Sequence, residues 1–233
     1  KLGQLLSTRA DLLPSDVITE LKRLQDDVPP LPFSEMQPAI ETELGAPIAS
    51  LFSQFDPTPL AAASIGQVYR AQLQLDDGKE VAVVVKVQRP NVARVIDRDI
   101  ELLYFLARSL ERTIPEAQAY MPLLLVAEFD RAIRAELDFA LEADNAERFA
   151  ENFATLSEVR FPKVYRELSS QKAITLEYFD GKSVFAAVAD GASAERIAKH
   201  AVLVIVKMIF EHGFFHADPH PGNVIIMPPN EEP

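Results

Sequence analysis

Near the end of this 233-residue chain, the run His212-Gly213-Phe214-Phe215-His216-Ala217-Asp218-Pro219-His220-Pro221-Gly222-Asn223 gathers titratable, polar and turn-forming residues directly after a long apolar pattern. His216, Asp218 and Asn223 fit H-x-D-x-x-x-x-N, a spacing suited to phosphoryl transfer. The Asp orients or deprotonates an attacking hydroxyl, and the Asn amide oxygen holds a metal ion on the phosphates. Pro219, Pro221 and Gly222 stiffen the loop between them, so both groups can be aimed with little entropy lost on binding. Two other readings fit the same residues. One is a plain surface turn. The other is a metal site, because His216, Asp218 and His220 place three potential ligands within five residues. Nothing elsewhere completes such a metal site: the chain has no cysteine, and its other histidines, His200 and His212, belong to the preceding helix pattern.

A second residue with chemical potential is Lys86, inside the apolar, β-branched run Val81-Ala82-Val83-Val84-Val85-Lys86-Val87. An ammonium there is costly unless paired, so Lys86 is expected to meet a carboxylate or a phosphate. The acidic candidates lie on a helical pattern from about 121 to 153. On it Asp138, Glu142 and Asn145 share one side, whereas Glu136 lies two residues before Asp138 and points nearly the opposite way. Glu136 and Asp138 can serve one small site only if the helix is distorted between them. Glu128 is a weaker partner candidate.

These groups need a frame, and composition bounds it. With 48% hydrophobic residues the chain can bury a real core. A formal charge of −12 argues against general binding of nucleic acid or anionic membranes. The absence of cysteine excludes disulfides and Cys-ligated zinc. No stretch reaches the ~18 apolar residues of a membrane span. The run from Ala201 to Phe210 contains Lys207 and reads as a buried core helix. The chain opens at Lys1 without a secretory pattern, which suits a fragment of a longer protein in the cytoplasm or at a membrane periphery.

In order, residues 1 to 27 read as two short amphipathic helices broken at Pro14-Ser15-Asp16, with Lys1 and Gln4 on one side of the first. After the Pro-rich link 28–32, Ser34 is the expected cap of a helix ending near Gly45, and 48–60 reads as connector. Ala61-Ala62-Ala63-Ser64-Ile65-Gly66-Gln67 then leads into a hairpin with its turn at Asp76-Asp77-Gly78. An amphipathic helix over 91–112 and the 121–153 helix follow. Leu125, Phe129, Ile133, Leu137 and Leu141, four apart, are expected to form the buried stripe of the latter. Val159–Tyr165 and Lys172–Phe179 read as strands, Ser193 as the cap of an apolar helix, and Val224-Ile225-Ile226 as a short strand after the loop.

The order of these pieces resembles a protein-kinase fold: α+β, two-lobed, here with a helical N-terminal extension (1–58), an N-lobe (59–179) and the start of a truncated C-lobe (180–233). Lys1-Leu2-Gly3-Gln4 looks like a K-x-G-Q motif, Ala61 to Val68 like an alanine-rich nucleotide loop, and Glu136-Leu137-Asp138 like an E-x-D motif. Together with His216 to Asn223 they resemble the UbiB, or aarF-domain, atypical kinases, a family tied to coenzyme Q (ubiquinone) biosynthesis. The resemblance implies ATP or ADP and Mg²⁺ as cofactors and an ATPase or small-molecule or lipid phosphotransferase activity. Its alternative is a weakly catalytic scaffold that binds nucleotide and an isoprenoid lipid.

By that similarity Asp218, Lys86, Glu136 and Asp138 are the catalytic candidates, with Lys86 also on the nucleotide phosphates and Asn223 on the metal. Ala61, Ala62, Ala63, Ser64 and Gly66 would line the nucleotide loop, and Glu177 to Phe179 would be the hinge meeting adenine. Lys1 and Gln4 would regulate by folding over the site toward the E-x-D carboxylates. Alanine resists the positive φ that glycine allows, so weakened or altered ATP handling is expected of this loop. The chain ends ten residues after Asn223 with no D-F-G, so by itself it is expected to be impaired.

Overall fold

The computed structural model describes residues 28–216 and 221–228. The expected helices of residues 1 to 27, with Lys1 and Gln4, lie outside the described residues, as do Asp218 and His220. The chain divides into two compact units, residues up to 150 together with 161–177, and residues 151–160 together with 178 onward.

The first unit begins with helix α1 (Phe33–Leu44), which ends at Gly45 in a left-handed conformation with φ 76°. Its cap is Pro32 rather than Ser34, which falls inside the first turn. The 48–60 stretch is more ordered than a connector: it forms the short helix α2 (Ile48–Leu51) and strand β1 (Gln54–Phe55). Glu41 helps here, its carboxylate accepting the Ile48 N–H at 3.2 Å. Strands β2 (Ala61–Ala62), β3 (Gly66–Gln74), β4 (Glu80–Gln88) and β5 (Ala173–Glu177) complete an antiparallel sheet in the order β1-β3-β4-β5, with β2 also pairing β3. The β3–β4 turn is where the sequence places it, with Gly78 at φ 82°.

Two cores sit on opposite faces of this sheet. Alternation along β4 sends Val83, Val85 and Val87 to one face, where they pack with Met36 and Ile40 of α1 and Tyr69 of β3. Ile65, Phe139, Ala143, Val164 and Ile174 form the other core. Lys86 pairs across strands with Val68 and Ile174. It therefore projects to the face that carries this second core.

After β4 come α3 (Val92–Thr113), a 3₁₀ turn (Pro115–Tyr120) and α4 (Pro122–Glu136), a helical hairpin fastened by Arg134 of α4 to Asp97 of α3 at 3.0 Å, with Asp130 of α4 holding the same guanidinium at 2.6 Å. The single helix expected over 121–153 is in fact two. It breaks at Leu137-Asp138, and α5 (Phe139–Asn152) starts afresh. The expected Leu stripe fails with it: Ile133 is buried, but Leu125 and Leu141 are exposed. Val159–Tyr165 is not a strand either. Pro162 has no N–H to give a ladder, and only the bridge Val164 to Leu176 forms.

In the second unit a two-stranded sheet pairs β6 (Lys182–Ser183) with β7 (Ile225–Ile226), and α6 (Val184–Ala189) follows β6. Ser193 caps α7 (Ala194–Val206), its hydroxyl accepting the Arg196 N–H at 3.2 Å. The helix continues as a π-turn, Lys207–Glu211. The buried core helix expected over Ala201–Phe210 is a correction: α7 has no buried residue, Phe210 is 80% exposed, and only Met208 of the stretch is buried. Its apolar side chains exceed what the described part of the unit offers to cover them.

Candidate active site

Lys86 meets its carboxylate within the first unit. Its ammonium donates to Glu142 Oε2 at 2.6 Å, with side-chain exposures of 29% and 40%. The Nζ also lies 4.6 Å from the centroid of the Phe139 ring, which is buried. A β-strand ammonium held by a helix carboxylate is the ion pair that phosphoryl-transfer folds use to aim a lysine at nucleotide phosphates.

The break in the 121–153 helix makes this pair. Asp138 Oδ1 accepts the N–H of Ala140 at 3.0 Å, and its Oδ2 accepts from Gln171 at 3.2 Å, so it starts α5 as a capping carboxylate. The Phe139 N–H goes to the Gln171 carbonyl at 2.9 Å instead of continuing the previous helix. Gln88, two residues after Lys86 on the same strand face, donates its side-chain amide to the Leu137 carbonyl at the break. Glu142 then stands one turn beyond Asp138, where it reaches Lys86. Glu136 remains on α4 and is exposed. Glu142 lay among the partner candidates on the Asp138 side of the helix but outside the catalytic set. The break leaves Glu136 at the end of α4 and Glu142 in the first turn of α5.

The alanine loop is a tight turn rather than an open cradle. Ala61 and Ala62 pair with Val68 and Gln67 of β3. The Ala63 N–H donates to the Gly66 carbonyl at 2.8 Å, closing the turn over Ser64 and Ile65. That amide is thereby spent inside the protein. Gly66 is required by contact: a Cβ there would stand 2.7 Å from the Val87 carbonyl oxygen. The hinge candidates fall at a boundary, since the chain leaves the first unit after Glu177 and enters the second at Tyr178. Phe179 is half-buried, with the Arg160 guanidinium 5.4 Å from its ring centroid.

In the second unit, Asn223 ends the 3₁₀ turn Pro221–Asn223 and is exposed. Its amide oxygen is a hard donor suited to Mg²⁺, which takes few protein ligands and completes its shell with phosphate and water. Among the described residues no group of three His, Cys, Asp or Glu could hold a metal ion. The π-turn before the loop places the His212 N–H on the Lys207 carbonyl at 3.0 Å, and Phe153 meets the His212 ring edge to face. Away from the candidate site, Arg166 binds Glu147 and Asp144 at 2.7 and 2.5 Å. Its hydrogen bonds hold the Glu147 carboxyl below the ordinary carboxylate range.

Comparison with known proteins settles the family. Residues 23–231 match the ABC1 atypical kinase-like domain. The chain belongs to that family. It is 39% identical to the probable protein kinase UbiB of Aliivibrio fischeri, over 100% of this chain and 43% of that protein. It is 41% identical to the UbiB of Pseudomonas putida, over 97% and 42%. It is also 38% identical to the Arabidopsis thaliana protein named Activity of BC1 Complex Kinase 8, chloroplastic, over 97% and 30%. The chain thus spans less than half the length of these relatives. A Mycobacterium tuberculosis protein, solved as a complex with erythromycin, superposes with a TM-score of 0.72 at 28% identity, covering 98% of this chain and 57% of that one. An α+β, kinase-like fold of the ABC1 type follows from both comparisons. No helix among the described residues is long and apolar enough to cross a membrane.

Proposed function

We propose that this ABC1-family chain is the nucleotide-handling part of a UbiB-type, ATP-dependent atypical kinase, acting as an ATPase or as a small-molecule or lipid phosphotransferase in support of ubiquinone biosynthesis. The observation that carries the reading is the Lys86–Glu142 pair at 2.6 Å, because a fixed but partly exposed ammonium is what phosphate recognition by this fold requires. Lys86 binds the α and β phosphates and Glu142 fixes its direction. Asp218 orients the attacking hydroxyl or water and takes its proton, Asn223 holds Mg²⁺, and the backbone of Glu177 to Phe179 meets the adenine. When bound, ATP with Mg²⁺ supplies the transferable phosphoryl group and spreads its charge. Glu136 and Asp138 belong to the catalytic set, and Lys1 and Gln4 regulate it.

One observation favours the rival reading of a nucleotide-binding scaffold: the Ala63 amide is committed to Gly66 and cannot serve a phosphate. Nucleotide binding and turnover by the full-length protein decide between the two, measured beside Asp218→Asn and with isoprenoid-like lipid present or absent. The kinase reading expects binding in both proteins and turnover in wild type alone. Equal turnover in the two removes it, and binding without turnover in either selects the scaffold.

A further inference from the structure

We infer that Arg89 is a positioning residue that holds the alanine loop in place and relays its state to the linker at Pro29. The inference rests on Ala61–Gly66 being the nucleotide loop of the proposed function. Arg89 stands at the corner where β4 ends and the chain turns through Pro90 toward α3. Its Nε donates to the Ala63 carbonyl at 3.0 Å and its Nη2 to the Pro29 carbonyl at 2.8 Å. Its backbone N–H donates to the Ile65 carbonyl at 2.9 Å. Two of the three acceptors belong to the loop and the third to the linker that leads back to the N-terminal segment.

A guanidinium is a rigid planar fork, so one side chain holds the Ala63 and Pro29 carbonyls at a fixed spacing. The linker has a second anchor of a different kind. Gln67 is fully buried; its Oε1 accepts the Leu31 N–H at 2.6 Å and its Nε2 donates to the Tyr69 hydroxyl at 2.7 Å. That anchor ties Leu31 to β3 inside the sheet, at a residue that also pairs with Ala62. Arg89 alone of the two side chains bonds the Ala63 carbonyl of the loop and the Pro29 carbonyl of the linker together. A ligand that shifts Ala63 must therefore move or release the carbonyl of Pro29, and a pull on the linker must act on the loop in return. Without the fork the loop gains freedom that a nucleotide must remove on binding, and affinity falls.

The test uses full-length protein with ATP and Mg²⁺ as the probe, comparing wild type with Arg89→Ala and with Arg89→Lys, which keeps the charge and loses the fork. Nucleotide affinity is expected to fall about tenfold in both variants, the scale of one charge-assisted hydrogen bond, with kcat unchanged because Arg89 touches no reacting group. In amide hydrogen exchange, nucleotide is expected to slow Ser64, Ile65 and Val28, the residue next to Pro29, in wild type. In Arg89→Lys it should slow the two loop amides only. Melting temperatures distinguish these effects from simple unfolding. Unchanged affinity in Arg89→Lys, or a Val28 response that survives in it, overturns the inference while leaving the kinase reading intact. A wild type that binds no nucleotide overturns the kinase reading, and the inference with it.

Discussion

Lys86 and Glu142 keep side-chain exposures of 29% and 40%, and this sets what breaking their pair should cost. Water screens such a pair, so Glu142→Gln is expected to change folding stability by at most about 1 kcal/mol, read from the denaturant midpoint. The effect on chemistry should be far larger. A lysine no longer aimed by its carboxylate loses the phosphate geometry, and nucleotide turnover should fall about 10²-fold. A large stability loss with intact turnover would show the pair to be structural. Phe139 beneath the ammonium is buried, and Gly66 lies close by, its would-be Cβ 3.6 Å from that ring. Lys86 thus has a fixed floor and a fixed partner, while part of its surface stays open to solvent.

The elements show why some of this was legible in the sequence and some was not. The hairpin of β3 and β4 was plain, because the apolar, β-branched run Val81–Val87 and the Asp76-Asp77-Gly78 turn are local signals that tertiary contacts only reinforce. Ser193 as a cap was plain for the same reason. The break at Leu137-Asp138 was hidden, because apolar residues four apart continue straight through it and the groups that cause it, Gln88 at the end of β4 and Gln171 in the bend before β5, are distant in sequence. Asp138 carries the signal that could have found it, since a carboxylate two residues before Ala140 is a capping residue in waiting. Asp138→Ala is expected to cost about 1 kcal/mol, measured by denaturant unfolding, and Asp138→Asn much less, because asparagine caps nearly as well. Identical losses in both would assign the effect to charge rather than to the cap.

For the molecule as a whole, the formal charge of −12 is the relevant quantity. Exposed apolar residues such as Phe105, Tyr120 and Leu125 around the tip of the α3–α4 hairpin give it surface that lipid could cover. Any such attraction must act against the field of an acidic protein. In vesicle sedimentation, binding is expected to drop as anionic lipid replaces neutral lipid and to recover with salt; stronger binding to anionic vesicles would require a basic patch that outweighs the net charge. Finally, the hairpin leaves the sheet just past β4 and returns at Leu137, whose carbonyl is grasped by Gln88 from that same strand. Departure and return points are thus stitched together independently of how far the arm extends between them. Whole turns trimmed in equal number from α3 and α4 would leave Lys86 and Glu142 undisturbed, so the arm can vary in length, and with it whatever it touches, without disturbing the ion pair at its root.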